Sequence, residues 1–191
     1  MNGSLAFQED AEIIGGNVVM MSAATVNHYR VARNILTLFD NFLRNRPCEP
    51  FQDGTALFLE ENMEEYQPDM MVVCDPDKVR EDGIYGAPDL VVEVLSPTTG
   101  RYDRKHKKDV YEKHGVREYW IVDPVSRSVE QYVLKDGRFV LRDVYALYPD
   151  SLLRRMKPEE KAALVTAFPC SLFEDLTVSL EDVFYRVVPG A

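Results

Sequence analysis

The stretch P-D-L-V-V-E-V-L-S-P at residues 88–97 decides the fold that this sequence predicts. Residues 90–95 are apolar except for Glu93, and so dense a run of Leu and Val is typical of a strand buried on both faces of a sheet. Pro88 and Pro97 mark its two ends, because proline cannot donate a hydrogen bond to a strand ladder. A carboxylate inside a buried strand is costly unless it is paired or binds a metal. Glu93 is therefore the first candidate functional residue.

A second strand with the same opening lies upstream, P-D-M-M-V-V-C at residues 68–74. Asp69 stands at the start of this strand and Glu93 stands near the end of the other. If the two strands pair antiparallel, the start of one faces the end of the other. The two carboxylates are then expected to converge at one end of the pair.

The remainder of the chain predicts an α/β fold, a mixed sheet flanked by helices. A helix is expected from Ser22 or Thr25, either of which can act as N-cap, up to Pro47. Asp103 and Gly115 bracket a second helix at 103–114. Further strands are expected at 13–14, 17–21, 56–59, 118–122, 129–134 and 138–144, and further helices from residue 158 and within 179–187. The length favours a single domain over 1–191 with its core at about 19–134 and a C-terminal extension.

Composition narrows the functional class. A hydrophobic fraction of 46% is enough for a real core, while a net charge of -10 argues against a general nucleic-acid coat protein. Cys48, Cys74 and Cys170 show no metal-binding spacing, so we expect them to be small apolar residues of a protein in a reducing compartment. The sequence shows no secretory signal and no membrane-length apolar run, which predicts a soluble cytoplasmic protein without membrane contact.

Three motifs carry a resemblance to a known family: Y-Q-P-D-M-M-V-V, P-D-L-V-V-E-V-L-S-P and V-R-E-Y-W-I-V-D-P. With the order helix, strand, Pro-Asp strand, Glu strand, helix, strand, the chain resembles the PD-(D/E)xK, or restriction-endonuclease-like, nuclease superfamily. More narrowly, it is similar to the bacterial Uma-type restriction-endonuclease family. The resemblance covers about 19–134 and the final strand and helix.

The resemblance implies a site and a reaction. In the superfamily the Asp and the Glu bind a divalent metal, so Asp69 and Glu93 are the implied ligands of Mg²⁺ or Mn²⁺. Mg²⁺ favours a few carboxylates together with water and phosphate oxygens, and it polarises a phosphoryl group. The implied activity is metal-dependent hydrolysis of phosphodiester bonds, with DNA as the expected partner.

The sequence departs from the superfamily pattern at Leu95, which stands where the (D/E)xK lysine belongs. Uma-type relatives resemble this chain in supplying the lysine from the following helix, which points to Lys107. Asp103, Lys107 and Tyr111 lie four residues apart and so share one helical face. Lys108 would point about a quarter-turn away.

Each candidate residue also has a purely structural interpretation. Asp69 can cap a turn, and Glu93 can be paired with a helix lysine and bind no metal. Lys107 can belong to a solvated basic face. Asp89 repeats the Pro-Asp signature at the far end of its strand and is expected to be structural, while His28 is expected to be a hydrogen-bonded residue at the edge of the core.

Two charged segments leave their roles open. Residues 101–117 form a basic island that can face phosphates or be an ordinary charged helix. Glu60, Glu61 and Glu64 are expected to form a solvated loop, although one of them can supply a third metal ligand.

Other functions remain open from sequence alone. The missing lysine in the triplet and the net charge of -10 favour a nuclease-like fold that binds without cleaving. A purely structural, oligomer-forming domain is a third possibility. Many nucleases of the superfamily work as pairs, so we expect a homodimer or a larger homo-oligomer.

Overall fold

The structure is a computed structural model, and it describes residues 11–20, 24–96 and 103–188. It contains two six-stranded mixed sheets, a two-stranded sheet and five α-helices within these residues, which confirms the predicted α/β class. The strands are β1 Ala11–Ile14, β2 Asn17–Met20, β3 Glu49–Gln52, β4 Leu57–Glu60, β5 Glu64–Tyr66, β6 Met70–Val73, β7 Val79–Arg80, β8 Gly83–Tyr85, β9 Leu90–Val94, β10 Glu118–Asp123, β11 Ser128–Lys135, β12 Arg138–Ala146, β13 Ala167–Pro169 and β14 Thr177–Ser179. The helices are α1 Val26–Leu43, α2 Lys108–His114, α3 Asp150–Leu153, α4 Pro158–Ala162 and α5 Leu180–Val183, with a 3₁₀ turn at Pro76–Lys78 and a π-helical turn at Asp103–Lys107.

The central sheet has the strand order β12-β11-β10-β9-β6-β3, and the outer sheet has the order β2-β1-β5-β4-β8-β7. In the central sheet, β9 pairs antiparallel with β6 and parallel with β10. Every residue of β6 and β9 is buried. The apolar runs around the two Pro-Asp pairs therefore form the predicted buried strands at the middle of the fold.

The central sheet separates two hydrophobic cores, because side chains of successive strand residues point to opposite faces. The first core packs α1 and the C-terminal elements against one face, and its members include Val31, Phe39, Met70, Val92, Trp120 and Phe168. The second core packs the outer sheet and α2 against the other face, and its members include Leu57, Met71, Ile84, Val91, Tyr111 and Tyr119. Glu93 alternates with Val92 and Val94 and so belongs to the face of the second core.

Helix α1 begins as the sequence predicts. The Oγ1 of Thr25 accepts a hydrogen bond from the backbone N–H of His28 at 3.2 Å, which is the N-cap bond. Ser22, the alternative cap, lies outside the described residues. The buried side chains of the helix recur at the predicted three-to-four spacing, so one face of α1 covers the central sheet.

The acidic segment between β4 and β6 differs from the expectation of a solvated loop. Glu60 and Glu61 are exposed, but Glu64 belongs to β5, a strand that pairs with both β1 and β4. The neighbouring Glu65 is buried, and its carboxylate accepts a hydrogen bond from the backbone N–H of Asn62. The acidic sequence hid a short interior strand, which pairs with the adjacent β4 and with β1, about fifty residues earlier in the chain.

Two of the three cysteines are not free. Glu49 of β3 lies opposite Val73 of β6, so the next residues outward, Cys48 and Cys74, face each other and form a disulfide. The expectation that all three cysteines are apolar thiols is therefore wrong for this pair, and it holds for the buried Cys170. Within the described ranges, no helix is both long enough and apolar enough to cross a membrane.

Removal of the disulfide is expected to destabilise the protein. The bond closes a loop across a sequence separation of 26 residues, which in the chain-entropy account is worth about 3 kcal/mol. The double substitution Cys48→Ser with Cys74→Ser should lower the free energy of unfolding in urea by about that amount. Dithiothreitol should lower it in the wild type and leave the double variant unchanged. Equal sensitivity of both proteins to the reductant would contradict the assignment, because Cys170 is present in each.

Candidate active site

Glu93 lies in β9 with only 4% of its surface exposed, and its Oε1 accepts two hydrogen bonds. The hydroxyl of Tyr111 donates one at 2.7 Å, and the Nζ of Lys107 donates the other at 3.1 Å. Lys107 and Tyr111 therefore approach Glu93 from one side, as their spacing predicts. The side chain of Asp103 lies outside the described part of the molecule. The charge of Glu93 is compensated by a buried cation, which is the condition for tolerating it inside a strand.

Lys107 is itself buried, with 6% of its surface exposed. Its Nζ lies 2.8 Å from Oε1 of Glu12 and 5.8 Å from the centre of the Tyr66 ring. The interpretation of Lys107 as part of a solvated basic face is therefore wrong. Because Glu12 belongs to β1 of the outer sheet and Glu93 to β9 of the central sheet, the ammonium of Lys107 joins the two sheets.

Asp69 immediately precedes β6 and holds the end of β9. Its Oδ2 accepts a hydrogen bond at 2.6 Å from the backbone N–H of Val94, the residue after Glu93. Its Oδ1 lies 3.1 Å from Nε2 of His28 in α1. The antiparallel register pairs Met70 with Val92, so the ladder continues outward to Asp69 and Glu93. The predicted antiparallel pairing is therefore confirmed, and Asp69 and Glu93 occupy opposed positions at one end of the strand pair.

The environment changes the acid–base behaviour of two groups. Burial alone would lower the pKa of His28, but its hydrogen bond to Asp69 and the charges of Asp69 and Asp53 outweigh burial and raise the pKa above its ordinary value. Burial, with the nearby carboxylates of Glu93 and Glu12, raises the pKa of Tyr111 well above its ordinary value. Tyr111 therefore keeps its proton at neutral pH and serves as a donor to Glu93.

Asp89 has the structural role that the sequence predicts. Its Oδ2 accepts a hydrogen bond at 2.8 Å from the backbone N–H of Cys74, and its Oδ1 accepts one at 2.9 Å from Arg117. Asp69 and Asp89 therefore bind the two opposite ends of the β6–β9 pair in the same manner. They differ in their second partner, which is a buried histidine for Asp69 and an exposed arginine for Asp89.

The site gathers two residues that sequence reasoning missed or discounted. Glu12 reaches Lys107 across 95 positions of sequence, and no local pattern marked it. His28 is a buried, hydrogen-bonded residue, as expected, but the sequence did not reveal that its partner is Asp69. Among the described residues, no group of three or more His, Cys, Asp or Glu side chains has the arrangement of a metal site.

Much of the basic island is already neutralised by carboxylates. Four of its members face acids: Arg104 with Glu130, Lys107 with Glu12 and Glu93, Lys113 with Glu60, and Arg117 with Asp89. Lys108 lies over the ring of Tyr132. Arg101 falls outside the described residues. These pairings favour the interpretation of the island as an ordinary charged helix.

Comparison with known proteins gives a consistent result. The model of the Uma2 family, described as "Putative restriction endonuclease", matches residues 6–163. Two uncharacterized proteins of Synechocystis sp. (strain ATCC 27184 / PCC 6803 / Kazusa) are similar: slr1290 is 30% identical over 68% of this chain and 68% of its own length, and sll1609 is 28% identical over 65% and 72%. The crystal structure of a "putative nuclease belonging to DUF820" from Anabaena variabilis ATCC 29413 superposes with a TM-score of 0.70 at 19% identity, covering 93% of this chain and 91% of that one. At this identity the superposition shows the fold alone.

The buried lysine generates a stability prediction. Removing one partner of a buried ion pair leaves a buried charge uncompensated and typically costs about 3–5 kcal/mol. Lys107→Met should therefore lower the free energy of unfolding in urea by roughly that amount without divalent cations. Lys108→Met, on the neighbouring position over Tyr132, should change it by less than about 1 kcal/mol. If the two variants unfold alike, Lys107 does not compensate Glu12 and Glu93.

Proposed function

Because the chain belongs to the Uma2 family, we propose that it is a nuclease that hydrolyses phosphodiester bonds in DNA with a bound Mg²⁺ or Mn²⁺. The observation that carries the proposal is the buried contact of Lys107 with Glu93, beside the carboxylate of Asp69 that holds Val94. Two carboxylates and one lysine at one end of a strand pair are the functional groups that such a reaction needs. The catalytic assignments are Asp69, Glu93 and Lys107, with the first two as metal ligands.

The donor set fits a hard divalent cation. Carboxylate oxygens are what Mg²⁺ prefers, and it is usually held by one or two carboxylates, with water and substrate phosphate completing its shell. The proposed ligands Asp69 and Glu93 would supply two carboxylates of this kind. Lys107 contacts Glu12 and Glu93, so a further carboxylate lies beside the candidate ligand Glu93.

The metal, when bound at Asp69 and Glu93, would polarise the phosphoryl oxygen and activate water. The protein's own groups prepare the site. Tyr111 holds its proton and donates to Glu93, which fixes the orientation of that carboxylate. Lys107 offers a positive charge from a buried position, where water screens it little. Loss of such a donor typically lowers a rate by about 10²–10³.

The rival function is a nuclease-like fold that binds a partner without cleaving. A net charge of -10 and the ion pairs that occupy the basic island favour it. The rival gives Asp69, Glu93 and Lys107 structural roles only. Cleavage of DNA that depends on these residues therefore separates the two functions.

We expect the purified protein to nick or linearise supercoiled plasmid in Mg²⁺ or Mn²⁺ and to be inactive in EDTA. Glu93→Ala and Asp69→Asn should lower the rate about 10²-fold or more, because each removes a metal ligand worth several kcal/mol in the transition state. Lys107→Met should lower it about 10²–10³-fold at a saturating metal concentration.

The matched control is Asp89→Asn, which loses the same kind of strand-end bond at the opposite end of the β6–β9 pair. It should cleave at a rate near that of the wild type. Absence of cleavage by the wild type with either metal would favour the binding module. An equal loss of cleavage rate in Asp69→Asn and Asp89→Asn would show that Asp69 acts only by capping a strand end.

A nuclease that cuts both strands of a duplex needs two sites, which a homodimer supplies. We therefore expect a mass of two chains or a larger even number by light scattering at working concentration. A monomer under the conditions of cleavage would contradict this expectation.

A further inference from the structure

The second partner of Asp69 differs from what a structural cap requires. At the opposite end of the strand pair, Asp89 performs the same capping of a backbone N–H with an arginine whose side chain is 62% exposed. Asp69 instead uses His28, whose side chain is only 9% exposed. Burying an imidazole is costlier than leaving an arginine in water, so capping the strand end does not explain the choice.

The imidazole of His28 also carries an unsatisfied atom. Its Nδ1 is buried and has no hydrogen-bond partner among the residues that the structure describes. Buried polar atoms are nearly always paired, and an exception in a folded protein calls for an explanation. The contact between Nε2 and Asp69 is therefore the interaction that we take to determine the position of the ring.

We propose that His28 is the positioning residue of Asp69, donating from Nε2 to Oδ1 so that the carboxylate is held in the orientation that binds the divalent cation. This inference rests on the proposed function and assigns a residue to it. The terminal torsion of an aspartate is soft, so one hydrogen bond leaves the carboxylate plane free to turn. The backbone N–H of Val94 on Oδ2 and the imidazole on Oδ1 together fix that plane.

Helix α1 provides the rigidity that such a role needs. His28 lies in its first turn, and the buried face that follows is anchored in the first core through Val31 and Ile35. Lys107 and Tyr111, which orient Glu93, come from the elements that pack on the second core. The two candidate ligands are thus oriented from opposite faces of the central sheet.

The test compares His28→Leu with His28→Gln, using Mn²⁺ as the probe and electron paramagnetic resonance to count bound metal. Glutamine keeps an N–H donor at a similar reach, whereas leucine fills the space without one. We expect Leu to weaken Mn²⁺ binding about 10–100-fold, the usual effect of losing a group that orients a metal ligand. Glutamine should restore the affinity to within a few-fold of the wild type. The Mn²⁺ concentration needed for half-maximal plasmid cleavage should move in parallel.

Thr25→Ala serves as the structural control, because it removes the N-cap of the same helix and leaves the imidazole in place. It should lower the melting temperature by a few degrees and leave Mn²⁺ affinity unchanged. The proposal is overturned if His28→Leu binds Mn²⁺ as the wild type does, or if Thr25→Ala weakens binding as much as His28→Leu. If the leucine variant does not fold, a folded His28→Gln that has lost Mn²⁺ binding overturns it equally.

The outcomes also separate this inference from the proposed function. If the wild type binds no Mn²⁺ and leaves plasmid intact, both the nuclease function and the positioning role of His28 are wrong. If the wild type binds Mn²⁺ and cleaves plasmid, and His28→Leu binds Mn²⁺ with the same affinity, only the role of His28 is wrong.

Discussion

The burial of Glu93 is the constraint on which the site depends. A carboxylate in the middle of a strand that is buried on both faces must be compensated, or the fold loses several kcal/mol. Glu118 on β10 shows that a cation is not the only solution: it is fully buried, yet neutral donors satisfy it, namely Trp120, Gln131 and the backbone of residues 171 and 172. Glu93 is compensated by an ammonium that it shares with Glu12. Two buried carboxylates on neighbouring strands of one sheet are thus compensated in different ways, one by neutral donors and one by a cation.

Two nearly identical hydrogen bonds, made by Asp69 and Asp89, lie at the two ends of the β6–β9 pair, so the differences around them are informative. Asp69 and Asp89 each follow a proline, and each accepts a hydrogen bond from a backbone N–H at the end of the partner strand. A Pro-Asp pair by itself is therefore a way of ending a strand in this fold. What distinguishes the end at Asp69 is its surroundings, with His28 on one side and the carboxylate of Glu93 on the next strand. The motif is structural at both ends, and the two ends differ in what the tertiary fold brings to them.

The features that could be predicted are those that depend on residues close together in the sequence. The buried strands, helix α1 with its Thr25 cap and the antiparallel pairing of the two Pro-Asp strands follow from local patterns. The contacts of Lys107 and Tyr111 with Glu93 agree with the helical spacing of these two residues. Glu12 and the Cys48–Cys74 bond could not be predicted, because they depend on which strands become neighbours, across 95 and 26 positions. His28 was visible in the sequence, but its partner was not, so its chemistry was undervalued.

The position of the lysine has a consequence for assembly of the site. Leu95 lies on the same face of β9 as Glu93, two residues further on, and it is buried in the second core. A lysine there would reach Glu93 from within its own sheet, and the pair would form whenever β9 formed. Lys107 instead bridges Glu93 of the central sheet and Glu12 of the outer sheet. Its charge is therefore correctly placed only after the two sheets and the π-helical turn have packed together. With its cation in the turn and not in the strand, the Glu93 pair depends on the complete tertiary structure, and position 95 belongs to the apolar core that holds the sheets against each other.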